Sequence, residues 1–345
     1  MPFYYYPESY NSYLNIHQTE KAIADIKDFF QTTLSAILKL RRVTAPLFIK
    51  TGTGLNDELN GVERPVSFIP KGFDDNEVEI VQSLAKWKRM VCYQYAIEKG
   101  FGIYADMNAI RADEIPDSIH SYYVDQWDWE LVIDENDRSL KFLKNVVEKI
   151  YSTIIATEFL VFENYQEIKP ILPEKITYIH SEELLKMYPD KDPIERENLA
   201  AKKFGAIFII GIGAVLSDGK PHDGRAADYD DWITKNEDGY IGLNGDIIVW
   251  DPAIEKSLEL SSMGIRVNKQ SLLKQLELRK CTEKENLFYH KNLISGLLPQ
   301  TIGGGIGQSR LCMFFLRKAH IGEVQASVWP DHILENCKRS NITLM

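Results

Sequence analysis

Residues 299–310 have the sequence PQTIGGGIGQSR, in which four glycines fall within five positions and Arg310 follows three residues after the last of them. Glycines at this density allow a backbone to approach a ligand closely and to take positive φ angles. The apolar segment at 311–316 predicts a helix that begins near Gln308, whose N-terminus would point free N–H groups at an anion. Arg310 would add a planar cation suited to phosphate or to stacking on a purine. A tight glycine-rich turn with a solvated Arg is the alternative, and the stretch matches neither a P-loop nor a dinucleotide-binding fingerprint.

The composition is that of an ordinary globular protein. The chain has 345 residues, 44% apolar and 26% charged, and a formal net charge of −10. Because nucleic-acid affinity usually depends on a basic surface, we expect no nucleic-acid partner. The four cysteines lie far apart without metal-site spacing, which indicates a reducing compartment. The sequence contains neither a signal peptide nor an apolar run long enough to cross a membrane, so we expect a cytoplasmic protein without a membrane partner.

Hydrophobic periodicity predicts helices and strands along the whole chain. The predicted helices are 20–42, 77–95, 140–162, 192–205 and 269–285. The predicted strands are 47–49, 62–70, 101–110, 206–211, 245–250 and 258–267. The start at Asp192 is the clearest, because an acidic N-cap precedes Pro193 and Glu195 completes a capping box. Distant strands separated by helices favour an α/β (α+β) fold with a central antiparallel sheet flanked by helices, which we expect to form one domain over residues 1–345.

A polar segment follows the predicted strand 101–110. Arg111 stands at the end of that strand, where an Arg can bind phosphate. In the segment 122–130, YYVDQWDWE, polar residues alternate with aromatic ones on what would be the next strand. The aromatic side chains favour burial, so the polar residues between them would line one wall of a pocket and need partners. A solvated surface of ion pairs is the alternative.

Glu259 begins the segment ELSSMGIR on a predicted strand. In a regular strand, Glu259 and Ser261 would share one face and Ser262 would lie on the other. A bend at Gly264 or a β-bulge could still bring Glu259 and Ser262 to one hard cation such as Mg²⁺, which takes few protein oxygens together with phosphate. Asp246, on the preceding strand, is another candidate oxygen ligand.

Together these segments resemble the catalytic core of class II aminoacyl-tRNA synthetases. The helix that ends before Pro46 is similar to motif 1, which builds the dimer interface of that class. Residues 111–114 resemble motif 2 and residues 305–310 resemble motif 3. Residues 259–262 are similar to the magnesium-binding segment of the aspartyl and asparaginyl subgroup.

Over nearly its whole length the sequence is similar to the aspartate–ammonia ligases of the asparagine synthetase A type. The supporting runs are SLAKWKR at 83–89, YVDQWDWE at 123–130, LSDG at 216–219, DYDDW at 228–232, GLNGD at 242–246 and the stretch 299–311. Two positions depart from the expected pattern. Thr53 stands where some members have Asp, and Ala227 stands where Pro is usual. Thr53 leaves Asp57 as the candidate acid in its loop.

The resemblance implies an ATP-dependent amidation of L-aspartate by ammonia. AMP would be transferred from ATP to the β-carboxylate with release of pyrophosphate, and ammonia would then displace AMP to give L-asparagine. Catalysis would rest largely on positioning and charge neutralisation. Glutamine as nitrogen source would require a nucleophilic thiol, and no Cys has such a context, so free ammonia is favoured.

The resemblance also implies roles for individual residues. Arg111 would neutralise the α-phosphate and the β-carboxylate, Gln126 would orient the acyl group, and Asp57 would hold ammonium or accept its proton. The predicted aspartate-binding residues are Ser83, Lys88, Asp128, Asp230 and Ser261. The predicted ATP-binding residues are Arg111, Glu114, Asp246, Glu259 and Arg310. The predicted Mg²⁺ ligands are Glu259, Ser262 and Asp246.

Two other functions account for parts of the sequence. A tRNA-charging synthetase of the aspartyl or asparaginyl subgroup would need an anticodon-binding domain, usually an N-terminal OB barrel, and only a short segment precedes the first predicted helix. A noncatalytic paralogue serving as a binding module is expected to have lost Arg111, Gln126 or Arg310, and all three are present. We therefore expect a single catalytic domain that works as a homodimer, without an anticodon-binding domain.

Overall fold

The computed structural model describes residues 2–57, 59, 63–74 and 76–345, which form helices packed on a large sheet. The strands among these residues are β1 (Leu40–Arg42), β2 (Phe48–Lys50), β3 (Ser67–Phe68), β4 (Val78–Ile80), β5 (Gly102–Ile110), β6 (Tyr123–Val132), β7 (Thr177–His180), β8 (Ala206–Ile210), β9 (Asn244–Asp251), β10 (Lys256–Ile265) and β11 (Thr301–Gly307). The α-helices are α1 (Ile16–Leu38), α2 (Ala85–Gln94), α3 (Leu140–Asn164), α4 (Ser181–Met187), α5 (Pro193–Phe204), α6 (Lys269–Leu278), α7 (Phe288–Ile294), α8 (Gln308–Phe315) and α9 (Asp331–Arg339). Within the described ranges, none of these helices combines the length and the apolar composition needed to cross a bilayer.

The main sheet has the strand order β1-β5-β6-β11-β10-β9-β8-β7. Its six inner strands pair in an antiparallel manner, whereas β1 is parallel to β5 and β7 is parallel to β8. The predicted central antiparallel sheet with flanking helices is therefore confirmed, with one parallel strand added at each edge. A separate small sheet has the order β2-β4-β3.

The two faces of the main sheet pack against different helices. On one face, α1, α3 and α8 form the largest apolar core with side chains such as Trp127, Trp129 and Phe208. The ring of Trp127 stacks on Phe30 of α1 with a centroid distance of 4.7 Å. On the other face, α2 packs on β5 and β6, and α5 packs on β8, β9 and β10. Because side chains alternate along β6, the polar neighbours of these two tryptophans point to the face of α2 and α5.

Local signals set the bounds of α5. Asp192 caps the helix through a reciprocal capping box with Glu195, Pro193 follows as the first helical residue, and the chain leaves the helix at Gly205 with φ of 77°. Every one of these features was predicted from the sequence.

The first helix begins and ends earlier than the predicted range 20–42. Its capping box starts at Asn15, and Lys39 ends it in the left-handed conformation with φ of 55°. Residues 40–42 then form β1 beside β5. The apolar spacing continues beyond the helix because β1 is also buried at Leu40, so periodicity alone does not mark the boundary.

Other predicted elements need correction. The helix predicted at 77–95 is wrong in its first part, because Val78–Ile80 forms β4 and pairs with β2, and the helix itself starts at Ala85. The helix predicted at 269–285 ends at Leu278 and is followed by a 3₁₀ turn at Thr282–Asn286. Of the strand predicted at 62–70, Ser67–Phe68 is a strand, and Val62 lies outside the described residues.

The glycine-rich stretch is a strand, not a turn. It forms β11 in the middle of the sheet, between β6 and β10, and α8 begins at Gln308 as predicted. None of its four glycines has a positive φ angle, so this freedom of glycine is not used here. The glycines are instead required for space: a Cβ atom on Gly303 would lie 1.9 Å from Oε2 of Glu130, and one on Gly305 would lie 2.5 Å from Oε1 of Gln126.

Candidate active site

A cavity of about 460 Å³ opens on the sheet face that carries α2 and α5. Its floor and walls come from β6, β10 and β11, from the segment after β5, and from the loops around Asp57 and Arg225. Its volume is in the range of small-molecule sites. Most of the lining side chains are polar or charged, which suits a highly charged ligand.

Most of the predicted site residues line this cavity. They are Asp57, Ser83, Lys88, Arg111, Glu114, Gln126, Asp128, Asp230, Glu259, Ser262 and Arg310. Ser261 and Asp246 are not among the lining residues. The Ser261 hydroxyl donates to the carbonyl of Gly305 at 3.0 Å, and Asp246 accepts a hydrogen bond from Arg225 at 2.6 Å. Through these contacts, both side chains hold other parts of the protein in place. The contacts do not support direct binding of substrate by Ser261 or Asp246.

The floor of the cavity holds buried, paired charges. Lys88 forms an ion pair with Asp128 and donates to the carbonyl of Gly304 at 2.9 Å. Arg266 donates to Glu130 at 2.8 Å and to Asp230 at 2.5 Å. Burial lowers the pKa of Lys88, although the charge of Asp128 opposes this. Burial acts to raise the pKa of Glu130, yet Arg266 holds it below its ordinary value. The floor therefore presents charges of both signs in fixed positions.

Sequence reasoning missed Arg225 and Arg266. Arg266 ends the ELSSMGIR segment and is 2% exposed, and Arg225 lies in a polar loop that the sequence does not distinguish from a solvated one. Arg225 donates to Ser262 at 2.7 Å. Burial acts to lower its pKa, but Asp246, Tyr229 and Asp230 together raise the pKa well above its ordinary value. The one available signal was the excess of acids at 223–231, since buried acids need a cation nearby.

Two of the arginines that line the cavity, Arg111 and Arg310, lie on different walls. Arg111 lies just after β5, and Arg310 lies in the first turn of α8. Arg310 donates to the backbone carbonyl of Glu259 at 3.2 Å, and its guanidinium is 3.7 Å from the Glu259 carboxylate. Guanidinium groups placed in this way can bind phosphate oxygens or stack on a base.

A β-bulge places two of the three predicted magnesium ligands at the cavity. The register of β10 against β9 shifts between Glu259 and Ser261, so that both Glu259 and Ser262 line the cavity. A β-bulge was one of the two arrangements that the sequence allowed for bringing Glu259 and Ser262 to the same face. Among the described residues there is no group of three or more His, Cys, Asp or Glu side chains arranged to hold a metal. Two protein oxygens at the cavity fit a Mg²⁺ ion whose other ligands are phosphate and water, whereas Asp246 is not among the lining residues.

The N-terminus of α8 does not offer its N–H groups to a ligand in the way the sequence suggested. The backbone N–H and the hydroxyl of Ser309 both donate to Asp125, at 3.1 and 2.6 Å. Asp125 also forms an ion pair with Lys27 of α1 at 3.0 Å. The anion at this helix terminus is thus a carboxylate of the chain itself, which attaches β6 to α8.

Asp57 lies in the cavity wall and is 4% exposed. Its carboxylate accepts a hydrogen bond from the backbone N–H of Leu59 at 3.0 Å. Burial raises the pKa of Asp57 to about 6, against the opposing charge of Lys86. A carboxylate with this pKa can exchange a proton near neutral pH.

Comparison with solved structures identifies the fold as that of class II aminoacyl-tRNA synthetases. The asparaginyl-tRNA synthetase of Entamoeba histolytica in complex with asparaginyl-adenylate superposes with a TM-score of 0.67 at 14% identity, over 90% of this chain and 66% of that chain. The asparaginyl-tRNA synthetase of Pyrococcus horikoshii, also with asparaginyl-adenylate, gives a TM-score of 0.67 at 14% identity, over 90% and 70% of the two chains. The chain thus spans about two thirds of the length of these synthetases.

Sequence comparison identifies the family within this class. A family model described as Aspartate-ammonia ligase matches residues 17–341. Aspartate–ammonia ligases of Parabacteroides distasonis and Bacteroides fragilis are 57% and 56% identical, over 98% of this chain and 98% of theirs. That of Fusobacterium nucleatum is 54% identical over 98% of this chain and all of its own length. The chain belongs to the aspartate–ammonia ligase family, and it is an enzyme.

Proposed function

We propose that this enzyme converts L-aspartate, ATP and ammonia to L-asparagine, AMP and pyrophosphate. The observation that carries the proposal is the cavity itself, which joins a floor of paired charges to Arg111, Arg310 and the buried acid Asp57. The floor suits a zwitterionic amino acid, because Lys88 and Arg266 can bind a carboxylate and Asp128 and Asp230 can bind an amino group. Membership of the family supports the same substrates.

The first step in this proposal is adenylation of the β-carboxylate. A carboxylate oxygen of aspartate attacks the α-phosphorus of ATP, the bond to the β-phosphate oxygen breaks, and pyrophosphate leaves. Arg111 would neutralise the two anions that must meet, Gln126 would hold the acyl oxygen, and Arg310 would hold the nucleotide. The asparaginyl-adenylate bound by the structurally similar synthetases is the same class of acyl-adenylate, which supports this route.

Magnesium is part of the proposal. Glu259 and Ser262 would hold Mg²⁺, with Asp246 orienting Ser262 through Arg225. When bound, the ion would neutralise phosphate charge and favour departure of pyrophosphate. The protein's own part is to keep the Glu259 carboxylate and the Ser262 hydroxyl on one side of the bulge.

The second step is attack by ammonia on the β-aspartyl-adenylate. The nitrogen forms a bond to the acyl carbon, the acyl–phosphate oxygen bond breaks, and AMP leaves. Asp57 would hold ammonium at the cavity wall and take the proton whose loss converts it to nucleophilic ammonia, and the second proton, lost after attack, would pass to solvent. Its raised pKa suits this task, since a base with a pKa near the working pH can accept and release a proton readily.

Free ammonia is favoured over glutamine as the nitrogen source. Hydrolysis of glutamine in amidotransferases uses a nucleophilic thiol, and none of the four cysteines lines the cavity. Cys92, Cys312 and Cys337 are buried, and burial raises the pKa of each thiol. A thiol with a raised pKa is a poor nucleophile.

The proposal also covers the oligomeric state and the cellular compartment of the enzyme. We infer a cytoplasmic homodimer that functions as a single catalytic domain without tRNA, nucleic acid or a membrane. The arrangement of α1 and β1 before Pro46, which resembles motif 1, supports the dimer. Light scattering after size-exclusion chromatography would test it: a mass of twice 39.7 kDa is expected, and a single-chain mass would contradict it.

One assay tests the chemistry. Purified enzyme is incubated with aspartate, ATP, Mg²⁺ and ammonium, and the expected products are asparagine, AMP and pyrophosphate in equal amounts. Formation of ADP and phosphate would contradict adenylation, and product that appears only with added tRNA would favour a tRNA-charging enzyme. Exchange of labelled pyrophosphate into ATP with aspartate alone would isolate the first step.

A further inference from the structure

A buried group of three charged or polar side chains packs against the loop that carries Asp57 and is not used in the mechanism above. Lys86 of α2 donates to Asp228 at 2.8 Å, and Nε2 of His290 on α7 is 3.0 Å from the same carboxylate oxygen. These three side chains are between 0 and 2% exposed. None of them is among the residues that line the cavity, so they do not contact a ligand there.

His290 is the second partner of the Asp228 carboxylate. The pKa of Asp228 is held far below its ordinary value, because Lys86 and His290 outweigh the effect of burial, so its carboxylate accepts and Nε2–H of His290 donates. In the described part of the chain, Nδ1 of His290 has no hydrogen-bond partner. Asp228 is therefore held as an anion between Lys86 and His290.

The same group is attached to the Asp57 loop. The backbone N–H of Tyr289 donates to the carbonyl of Thr53 at 3.0 Å. Gly54 lies against the ring of His290 so closely that a Cβ atom would be 2.9 Å from Nδ1. The φ of Gly54 is +72°, a conformation that glycine adopts without strain. Helix α7 thus holds both the loop that carries Asp57 and the carboxylate that fixes Lys86.

We propose that Lys86, fixed by Asp228 and His290, is a positioning residue that keeps the Asp57 carboxylate charged so that it can hold ammonium and take its proton. The inference rests on the role proposed above for Asp57. Lys86 acts through Asp57 and does not touch the reacting atoms.

The charges around Asp57 act in opposite directions. Burial raises the pKa of Asp57, the cations Lys86 and Arg111 lower it, and the carboxylate of Asp228 raises it. The phenol of Tyr229 is the other titratable group that senses Asp57, and its pKa is raised well above its ordinary value by burial and by this carboxylate. Removal of Lys86 or of Asp228 should therefore change the proton affinity of Asp57 with opposite sign.

The experiment compares Lys86→Met with Asp228→Asn. The pH dependence of asparagine formation is measured at saturating ammonium, and pyrophosphate exchange is measured in parallel as a record of adenylation. In Lys86→Met, the pH at which amide formation reaches half its maximum should rise by about one unit or more, since an opposite charge nearby is worth one to three units. In Asp228→Asn it should fall. Pyrophosphate exchange should keep its own pH dependence in both variants.

Two further variants make the test decisive. Lys86→Arg keeps the charge and should keep the pH midpoint of the unmodified enzyme. Lys318→Met removes another buried lysine, 3% exposed and close to Glu323 but outside the lining of the cavity, and should leave the midpoint unchanged. Loss of pyrophosphate exchange together with amide formation in the Lys86 and Asp228 variants would mean that the group only supports the fold, and would overturn the inference.

Failure of this inference can be told apart from failure of the proposed function. Asp57→Asn is measured alongside. If amide formation in that variant is unimpaired, the role of Asp57 is wrong and the inference falls with it. If Asp57→Asn loses amide formation but the midpoints of Lys86→Met and Asp228→Asn do not move, or move in the same direction, only the role of Lys86 is refuted.

Discussion

Two kinds of buried acid occur in this enzyme. Asp230 in the floor of the cavity and Glu130, which is not among its lining residues, share the guanidinium of Arg266 and are called the floor acids here. Arg266 keeps the pKa of Glu130 low in spite of burial. Asp57 and Asp251 are similarly buried but accept backbone N–H groups, from Leu59 and Ala253. Burial raises their pKa values to about 6 and about 7. Burial is common to these acids, and their partners differ: the guanidinium of Arg266 holds Glu130 as a fixed charge, whereas Asp57 and Asp251 form no ion pair with any described residue and can exchange a proton.

The largest effect is expected from removing the cation that the floor acids share. Arg266→Met leaves Glu130 and Asp230 buried without it, and breaking a buried ion pair in this way costs about 3–5 kcal/mol. The free energy of unfolding, measured by urea denaturation at pH 7, should fall by this amount, and aspartate binding should be lost. Arg339→Met, which removes an exposed pair with Glu335, is the control and should change stability little. An equal loss in both variants would contradict the comparison.

The acid at the cavity wall should instead control one chemical step. Asp57→Asn keeps the shape but cannot accept a proton, so amide formation should fall by about 10²-fold or more, the usual contribution of a general base. Pyrophosphate exchange, which needs only adenylation, should remain. Measurement of both rates on one preparation checks this. Parallel loss of the two rates would show that Asp57 serves the fold or the first step and has no separate role in the second.

Asp251 allows proton exchange to be tested without an effect on catalysis. Its pKa is raised like that of Asp57, but it is not among the residues that line the cavity. Its folded-state pKa, about 7, is above the value of an unfolded Asp, so between about pH 4 and pH 7 the folded state binds more protons. The free energy of unfolding should then fall as pH rises through this window, with a slope of at most about 1.4 kcal/mol per pH unit. Asp251→Asn should remove the share of that slope that Asp251 supplies and leave the smaller share of Asp57, whose pKa is raised to about 6. Urea midpoints at pH 5 and pH 8 would check it, and an unchanged slope in the variant would place its origin elsewhere.

The sequence predicted those parts of the structure whose signals are local. The bounds of α5 follow from Asp192, Pro193 and Gly205, and the division of β6 into a tryptophan face and a polar face follows from alternation. Residues 78–80 form a strand because they pair with β2. The local sequence pattern does not report this pairing. The prediction that the site residues share one cavity came from the resemblance to a family. Periodicity does not report which distant segments lie together in the fold.

The buried ion pairs and hydrogen-bonded pairs have no local signal in the sequence. Arg266 is separated from Glu130 by 136 positions and from Asp230 by 36, so nothing local indicates that one guanidinium serves both acids. Arg225 was missed for the same reason, since its partners Ser262 and Asp246 come from two different strands. The sequence could predict that these acids need a cation. Only the packed sheet determines which one.

The smallest effect concerns the glycines of β11, and it tests whether the floor acids really are held in fixed positions. A Cβ atom on Gly303 would lie 1.9 Å from Oε2 of Glu130, whereas one on Gly307 would meet only the side chain of Arg310, at 3.4 Å. Gly303→Ala must therefore displace a carboxylate that Arg266 holds, at a cost of about 1–3 kcal/mol, the usual range for overpacking. Gly307→Ala should change stability by less than about 0.5 kcal/mol. Urea denaturation of both variants checks this, with aspartate binding as a second measurement that only Gly303→Ala should weaken. If Gly303→Ala is tolerated as well as Gly307→Ala, then Glu130 can move without cost, and the floor acids are not the fixed charges that distinguish them from Asp57.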